Sequence, residues 1–185
     1  MEIILTGIEY SGTTTIAAAI GEWYQEVAGR EFGFHDHFKI PHVGHQSVTE
    51  EDQRLILALS PRLKELIQRH QLVYHVQPTF YADGDLGTIG LHIQDAVYGP
   101  LYWGYGGPGE LGDRSILSRH IEDRILEDGP DTVLVLLKAS PELIARRMKE
   151  DPHDNSPLRE KDIEHVLQRF DEEYEASLIP DRFTL

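Results

Sequence analysis

Two hydrophobic periods alternate along the chain. Ile3-Ile4-Leu5 is a short unbroken apolar run, the pattern of a strand buried on both faces. After Gly7 to Gly12, the segment from Thr13 to about Ala28 reads as a helix. Ala17, Ala18 and Ala19 suit close packing on a sheet, and Gly29 is a stop. Glu31 to His35 predicts a second strand. Thr49 then caps a helix with Glu50, Glu51 and Asp52 in its first turn, where acids suit the dipole. Leu55, Ile56, Leu59, Leu63, Leu66 and Ile67 recur at helical spacing, and Ser60-Pro61 predicts a kink or an end and restart. Leu72 to Val76 predicts the third strand, Asp83-Gly84-Asp85 a turn or loop, and Ile89 to Tyr98 a helix. Gly99 to Gly109 is rich in glycine and aromatics. It reads either as a mobile loop laying rings beside a planar ligand or as a surface loop covering the core edge.

Asp113 to Glu127 predicts a helix, and Thr132 to Leu137 is the least ambiguous strand, central and buried. Ser140-Pro141-Glu142 opens another helix, closed by Arg146, Arg147 and Lys149. Asp151 to Pro157 is a polar loop. The last helix spans about Glu160 to Ser177, with Ile163, Val166, Leu167, Phe170 and Tyr174 as its apolar stripe. Arg182 to Leu185 predicts a short edge strand. Strands alternating with helices imply an α/β fold, with a parallel sheet and helices on both faces.

At 185 residues the chain fits one domain, residues 1–185. No apolar run approaches the roughly 20 residues of a membrane span. The sequence predicts no signal peptide, and with no cysteine a cytoplasmic location is expected. The formal net charge of −15 repels nucleic acid and anionic membranes. It also repels nucleotides, so a phosphate site here needs a local basic cluster or metal ions. A homodimer is compatible with this composition.

Candidate chemistry concentrates in the strand–loop–helix at the start. Gly7 to Gly12 with Thr14 matches G-x-x-x-x-G-K-[ST] except that Thr13 stands at the lysine position. The glycines let the backbone curl so that N–H groups converge, and the helix N-terminus adds partial positive charge. Gly7, Ser11, Gly12, Thr13, Thr14 and Thr15 are the candidate phosphate-binding residues, and Thr14 sits where a hydroxyl ligand of magnesium belongs. A threonine brings no charge. Either another cation serves, or the bound phosphate carries less charge, or the site binds without catalysing.

Four segments carry a family resemblance. Gly7 to Thr15 looks like the phosphate loop of thymidylate kinases. Asp36-His37-Phe38-Lys39-Ile40-Pro41 is similar to the segment after the second strand of uridine and nicotinamide riboside kinases. Val133 to Arg147 looks like the fourth strand and pre-lid helix of nucleoside and nucleotide kinases, and residues 147–161 fall at their lid. The chain thus resembles the P-loop kinases of nucleosides and nucleoside monophosphates. The resemblance implies a P-loop three-layer sandwich with about five parallel strands. It further implies ATP and Mg2+ as cofactors and a nucleoside or nucleotide substrate. Asp36 would orient or deprotonate the acceptor hydroxyl, or hold magnesium through water. Arg146, Arg147 and Arg159 would close over the phosphates and exclude water, and the lid arginines would replace the missing lysine's charge.

His35, His37, His42 and His45 also invite a zinc or iron reading, but no carboxylate spacing supports it. The competing function is a nucleotide-binding module that has lost transfer, acting as a sensor or subunit.

Overall fold

The computed structural model describes residues 3–36, 49–77, 85–153 and 156–185, apart from the side chains of residues 53, 85 and 86. The Lys39 segment, His37, His42 and His45 lie outside the described residues, as do Asp83 and Gly84 of the expected turn.

Five parallel strands form one sheet in the order β2-β3-β1-β4-β5. They are β1 (Ile3–Thr6), β2 (Phe32–Asp36), β3 (Asp85–Ile89), β4 (Val133–Leu136) and β5 (Asp181–Thr184). The helices are α1 (Thr13–Ala28), α2 (Glu50–Ala58), α3 (Pro61–His75), α4 (Leu91–Tyr98), α5 (Arg114–Asp128), α6 (Pro141–Glu150) and α7 (Ile163–Glu175). A π-helical turn, Gly99–Trp103, extends α4, and a 3-10 turn, Glu160–Asp162, precedes α7. The α/β class and the five-strand parallel sheet agree with the expectation.

Side chains alternate across the sheet and set the layers. Leu5, Ala17, Ile89, Val135 and Leu137 pack under α1. Ile4, Leu134 and Leu136 face the other way, onto Ile93 and Val97 of α4, Ile144 of α6 and Val166 and Phe170 of α7. A buried polar knot ties this second layer together. His92 Nε2 lies 2.8 Å from Glu122 Oε1, and the Leu178 N–H and Ser177 Oγ donate to the same carboxylate at 2.8 and 2.7 Å.

Three expectations need correction. Leu72 to Val76 is not a strand, because Leu72 to His75 are the last turn of α3 and Val76 its cap. The run is rich in apolar and β-forming residues, but Leu72, His75 and Val76 are buried while Val73 and Tyr74 are exposed, a helical spacing. The third strand is instead Asp85–Ile89, its first residue inside the segment expected to turn. The helix expected from Ile89 starts at Leu91, since Ile89 is paired with Leu5 of β1 and Asp36 of β2. Of the two readings of the glycine-aromatic stretch, the core-covering one fits. Tyr105 is buried, and Leu101, Tyr102 and Trp103 pack on the core.

Candidate active site

The loop between β1 and α1 is shaped by two glycines. A Cβ on Gly7 would meet Ser11 Oγ at 2.7 Å and the Leu137 carbonyl at 2.9 Å, so only glycine lets the loop fold onto β4's end. Gly12 has φ +104°, in the left-handed region that side chains rarely adopt. Tyr10 is also left-handed, at φ +67°. Between them the Ser11 N–H donates to the Ile8 carbonyl at 3.0 Å, closing the turn. The Ile16 N–H donates to the Gly12 carbonyl at 3.0 Å. The N–H groups of Thr13, Thr14 and Thr15 therefore lie above the helical ladder, where an anion can take them. No acidic side chain sits in that first turn to cancel the dipole.

An arginine of α6 reaches the loop. Arg147 Nη1 donates to the Tyr10 carbonyl at 2.6 Å and the Ser11 carbonyl at 3.2 Å. It lines a cavity of about 460 Å³ with Gly12, Thr13, Thr14, Thr15 and Asp151. That volume is in the range of small-molecule sites. Arg146 points elsewhere: it is exposed, with its Nε 3.9 Å from Glu150. Arg159 is exposed at the start of the 3-10 turn and does not line this cavity. Its neighbour Tyr102 donates to Asp162 at 3.2 Å. Burial, followed by the Asp162 charge, pushes the Tyr102 phenol up to about 12.

Asp36 is exposed at the carboxyl end of β2, level with Ile89 of β3. β2 is an edge strand, and β3 stands between it and β1, so Asp36 and the phosphate loop share one rim of the sheet two strands apart.

Sequence reasoning missed the contact between this loop and the segment after α6. Glu9, inside the loop, is buried, and Ser156 Oγ donates to its Oε2 at 2.7 Å. His153 Nδ1 lies 3.4 Å from Glu9 Oε1. The His153 N–H donates to Tyr10 Oη at 2.9 Å, and the two rings stack at 4.1 Å. From below, Tyr98 Oη accepts the Glu9 N–H at 3.2 Å. Burial, then the Glu9 charge, holds the Tyr98 phenol well above the usual tyrosine range. The available signal was two large side chains, Glu9 and Tyr10, inside a loop that otherwise needs small residues.

A second charged group was also missed. Arg114, at the start of α5, donates to Asp95 at 2.5 Å, to Glu65 at 2.9 Å and to the Gly112 carbonyl at 2.7 Å. Tyr105 donates to Asp95 at 2.9 Å. Burial opposes the Arg114 charge, but the surrounding Asp95, Glu65 and Tyr105 outweigh it and hold the guanidinium above its ordinary pKa.

Among the described residues no group of three or more His, Asp or Glu side chains is arranged to hold a metal ion. His35, the one described member of the histidine group, is buried against His75 with ring centroids 4.2 Å apart. No described helix is long and apolar enough to cross a membrane.

Neither a protein-family model nor a curated protein matches the sequence. Solved structures do resemble it. A deoxyadenosine kinase from M. mycoides with bound dCTP aligns with TM-score 0.58 and 15% identity, over 100% of this chain and 89% of that one. The same enzyme with bound dATP aligns with TM-score 0.57 and 13% identity, over 100% and 90%. A shikimate kinase from Acinetobacter baumannii aligns with TM-score 0.45 and 19% identity, over 100% and 82%. The fold is the P-loop kinase fold, and at these identities the likeness extends to the fold alone.

Proposed function

We propose that this protein transfers a phosphoryl group from ATP to a small acceptor, a nucleoside or nucleoside monophosphate, in the cytoplasm. The observation that carries this reading is Arg147, bonded to the loop's Tyr10 carbonyl and lining the 460 Å³ cavity together with the loop. Phosphoryl transfer asks mainly for positioning and charge neutralisation. The loop N–H groups would hold the donor phosphates, and Thr13 would keep one hydroxyl contact. Arg147 would supply the charge that the lysine position lacks. Asp36, on the acceptor side of the same rim, would orient or deprotonate the acceptor hydroxyl. Residues 147–161 would act as the lid, with Arg146 and Arg159 adding charge as it closes.

The oxygen donors here, the Thr14 hydroxyl and the Asp36 carboxylate, suit a hard divalent cation such as Mg2+. Bound there, it would neutralise phosphate charge. The deoxyadenosine kinase likeness supports a nucleoside-type acceptor by analogy of fold.

A second reading, a nucleotide-binding module without transfer, is favoured by the uncharged Thr13 and by the engagement of Arg147 with loop carbonyls. The deciding experiment pairs a thermal-shift screen of nucleosides and nucleotides with a transfer assay on the hits. Transfer that falls about 10²–10³-fold on replacing Arg147 and Arg159 by Ala supports the kinase. Nucleotide binding without transfer to any acceptor supports the module. Full activity in both arginine variants means the charge comes from elsewhere.

A further inference from the structure

The loop between β1 and α1 carries an acid that works against an anion. Glu9 lies three residues before Gly12, so it is at most about 10 Å along the chain from the head of α1. It is 6% exposed. A buried charge at that range is screened by protein more than by water, and it opposes the arrival of a phosphate. The Glu9 N–H offers no compensation, because it already donates to Tyr98 Oη at 3.2 Å.

His153 is the basic group placed against this acid. Its Nδ1 lies 3.4 Å from Glu9 Oε1, while Ser156 Oγ donates to the other carboxylate oxygen at 2.7 Å. The ring is fixed by its stack on Tyr10 at 4.1 Å, and the His153 N–H donates to Tyr10 Oη at 2.9 Å. The side chain is 44% exposed, so solvent protons reach it. Its charged neighbours come from both sides. Glu9 faces it from the loop, and Arg147, Glu150 and Asp151 line the same cavity from α6 and its C-cap. Tyr98 of α4 stays a neutral phenol, since burial and then the Glu9 charge raise it well above the usual range.

An ordinary imidazole changes charge close to neutral pH. Neutral, His153 leaves the Glu9 charge unbalanced. Protonated, it pairs with Glu9, and the two together carry no net charge. A phosphate entering the loop adds negative charge at close range and so favours the protonated pair. Linkage requires the converse, that protonation favours phosphate.

We propose that this loop takes up a proton on His153 as it binds a phosphate. The inference rests on the reading of the loop as a nucleotide phosphate site and adds a regulation of that site. The only covalent bond made is an imidazole N–H, with its proton drawn from solvent. The complex holds that proton more tightly than the free protein does. Affinity is therefore highest below the histidine range and falls as pH rises through it.

The test is calorimetry of ATP binding to the full chain near pH 7, in PIPES and in Tris, whose ionisation enthalpies differ. The parent should take up about 0.3–0.8 proton more per ATP bound than His153→Gln, a comparison that cancels the proton ATP itself exchanges. Relative to that variant, parent affinity should fall about 3–10-fold between about pH 6 and pH 8. His153→Lys carries a fixed positive charge. It should show none of the extra uptake and should keep its affinity across the same range. Glu9→Gln removes the charge to be balanced and should bind ATP more tightly than the parent at the alkaline end. The His153 variants alter a half-exposed side chain, so they decide the matter even where Glu9→Gln unfolds. Equal proton counts in the parent and His153→Gln overturn the inference and leave the nucleotide site standing. So does a His153→Lys protein whose affinity falls with pH as steeply as the parent's. A parent that binds no ATP at any pH overturns the phosphate-site reading itself, and this inference with it.

Discussion

Thr13 and Arg147 frame the question at the scale of single residues. In the lysine-bearing motif one side chain both fits the loop and carries the charge. On the proposed reading the two tasks fall on residues 134 positions apart, so the loop letters alone could not reveal the second partner. The glycine spacing was legible, because φ +104° at Gly12 and the close contact at Gly7 leave few other choices. The Tyr10–His153 stack and the Ser156–Glu9 bond were not, because no local pattern records a contact across more than 140 residues. Two variants probe the loop. Gly12→Val should keep the fold and weaken nucleotide binding at least about 100-fold by calorimetry, since the side chain strains the loop where phosphate must approach. Unchanged affinity would remove the loop from the site. Thr13→Lys should be tolerated and should raise the transfer rate, because a second cation then joins Arg147. A fall in rate would mean that Thr13 has a role of its own.

At the scale of elements, the chain was readable wherever one rule decided. β4 was legible from four consecutive apolar residues, and α6 from a Ser cap followed by Pro and Glu. Reading failed at α3 and β3, where local preference and tertiary placement disagree. Val73 and Tyr74 favour strands in isolation but complete a helix, while Asp85, read as the end of an Asp83-Gly84-Asp85 turn, opens β3. The knot between α4, α5 and the end of α7 was equally hidden, since Glu122 sits in an otherwise unremarkable polar helix. Burial would raise the Glu122 pKa, but the His92 bond and charge, the Leu178 N–H and Ser177 outweigh it and hold it below the ordinary 4.5. The native state then binds the proton more weakly than the unfolded chain. The contribution is present above about pH 4.5 and is lost as pH falls through the lowered native value. Glu122→Gln should cost about 2–3 kcal/mol at pH 7 and flatten the acid limb of stability in urea titrations from pH 7 to about pH 3. An equally steep acid limb in the variant would assign it to other carboxylates.

At the scale of the whole molecule, the dominant property is charge. A chain at −15 attracts few anions, yet the proposed donor is itself an anion. On the proposed reading Arg147 and the α1 N-terminus would act only at short range, so the repulsive field would govern the approach of nucleotide until it reaches the loop. Salt shortens that field. At about 150 mM the screening length is about 8 Å, against about 30 Å at 10 mM. Added salt should therefore speed nucleotide association here, the reverse of what a basic cleft gives. Stopped-flow mixing with a fluorescent ATP analogue should show the association rate constant rising a few-fold, roughly 2–5, between about 10 and 150 mM salt. Arg147→Ala should leave that slope nearly intact and act mainly on dissociation, because its guanidinium works in contact and not at a distance. A rate constant that falls with salt in the parent would mean that positive potential at the loop dominates the approach. The same fall lost in Arg147→Ala would identify Arg147 as its source.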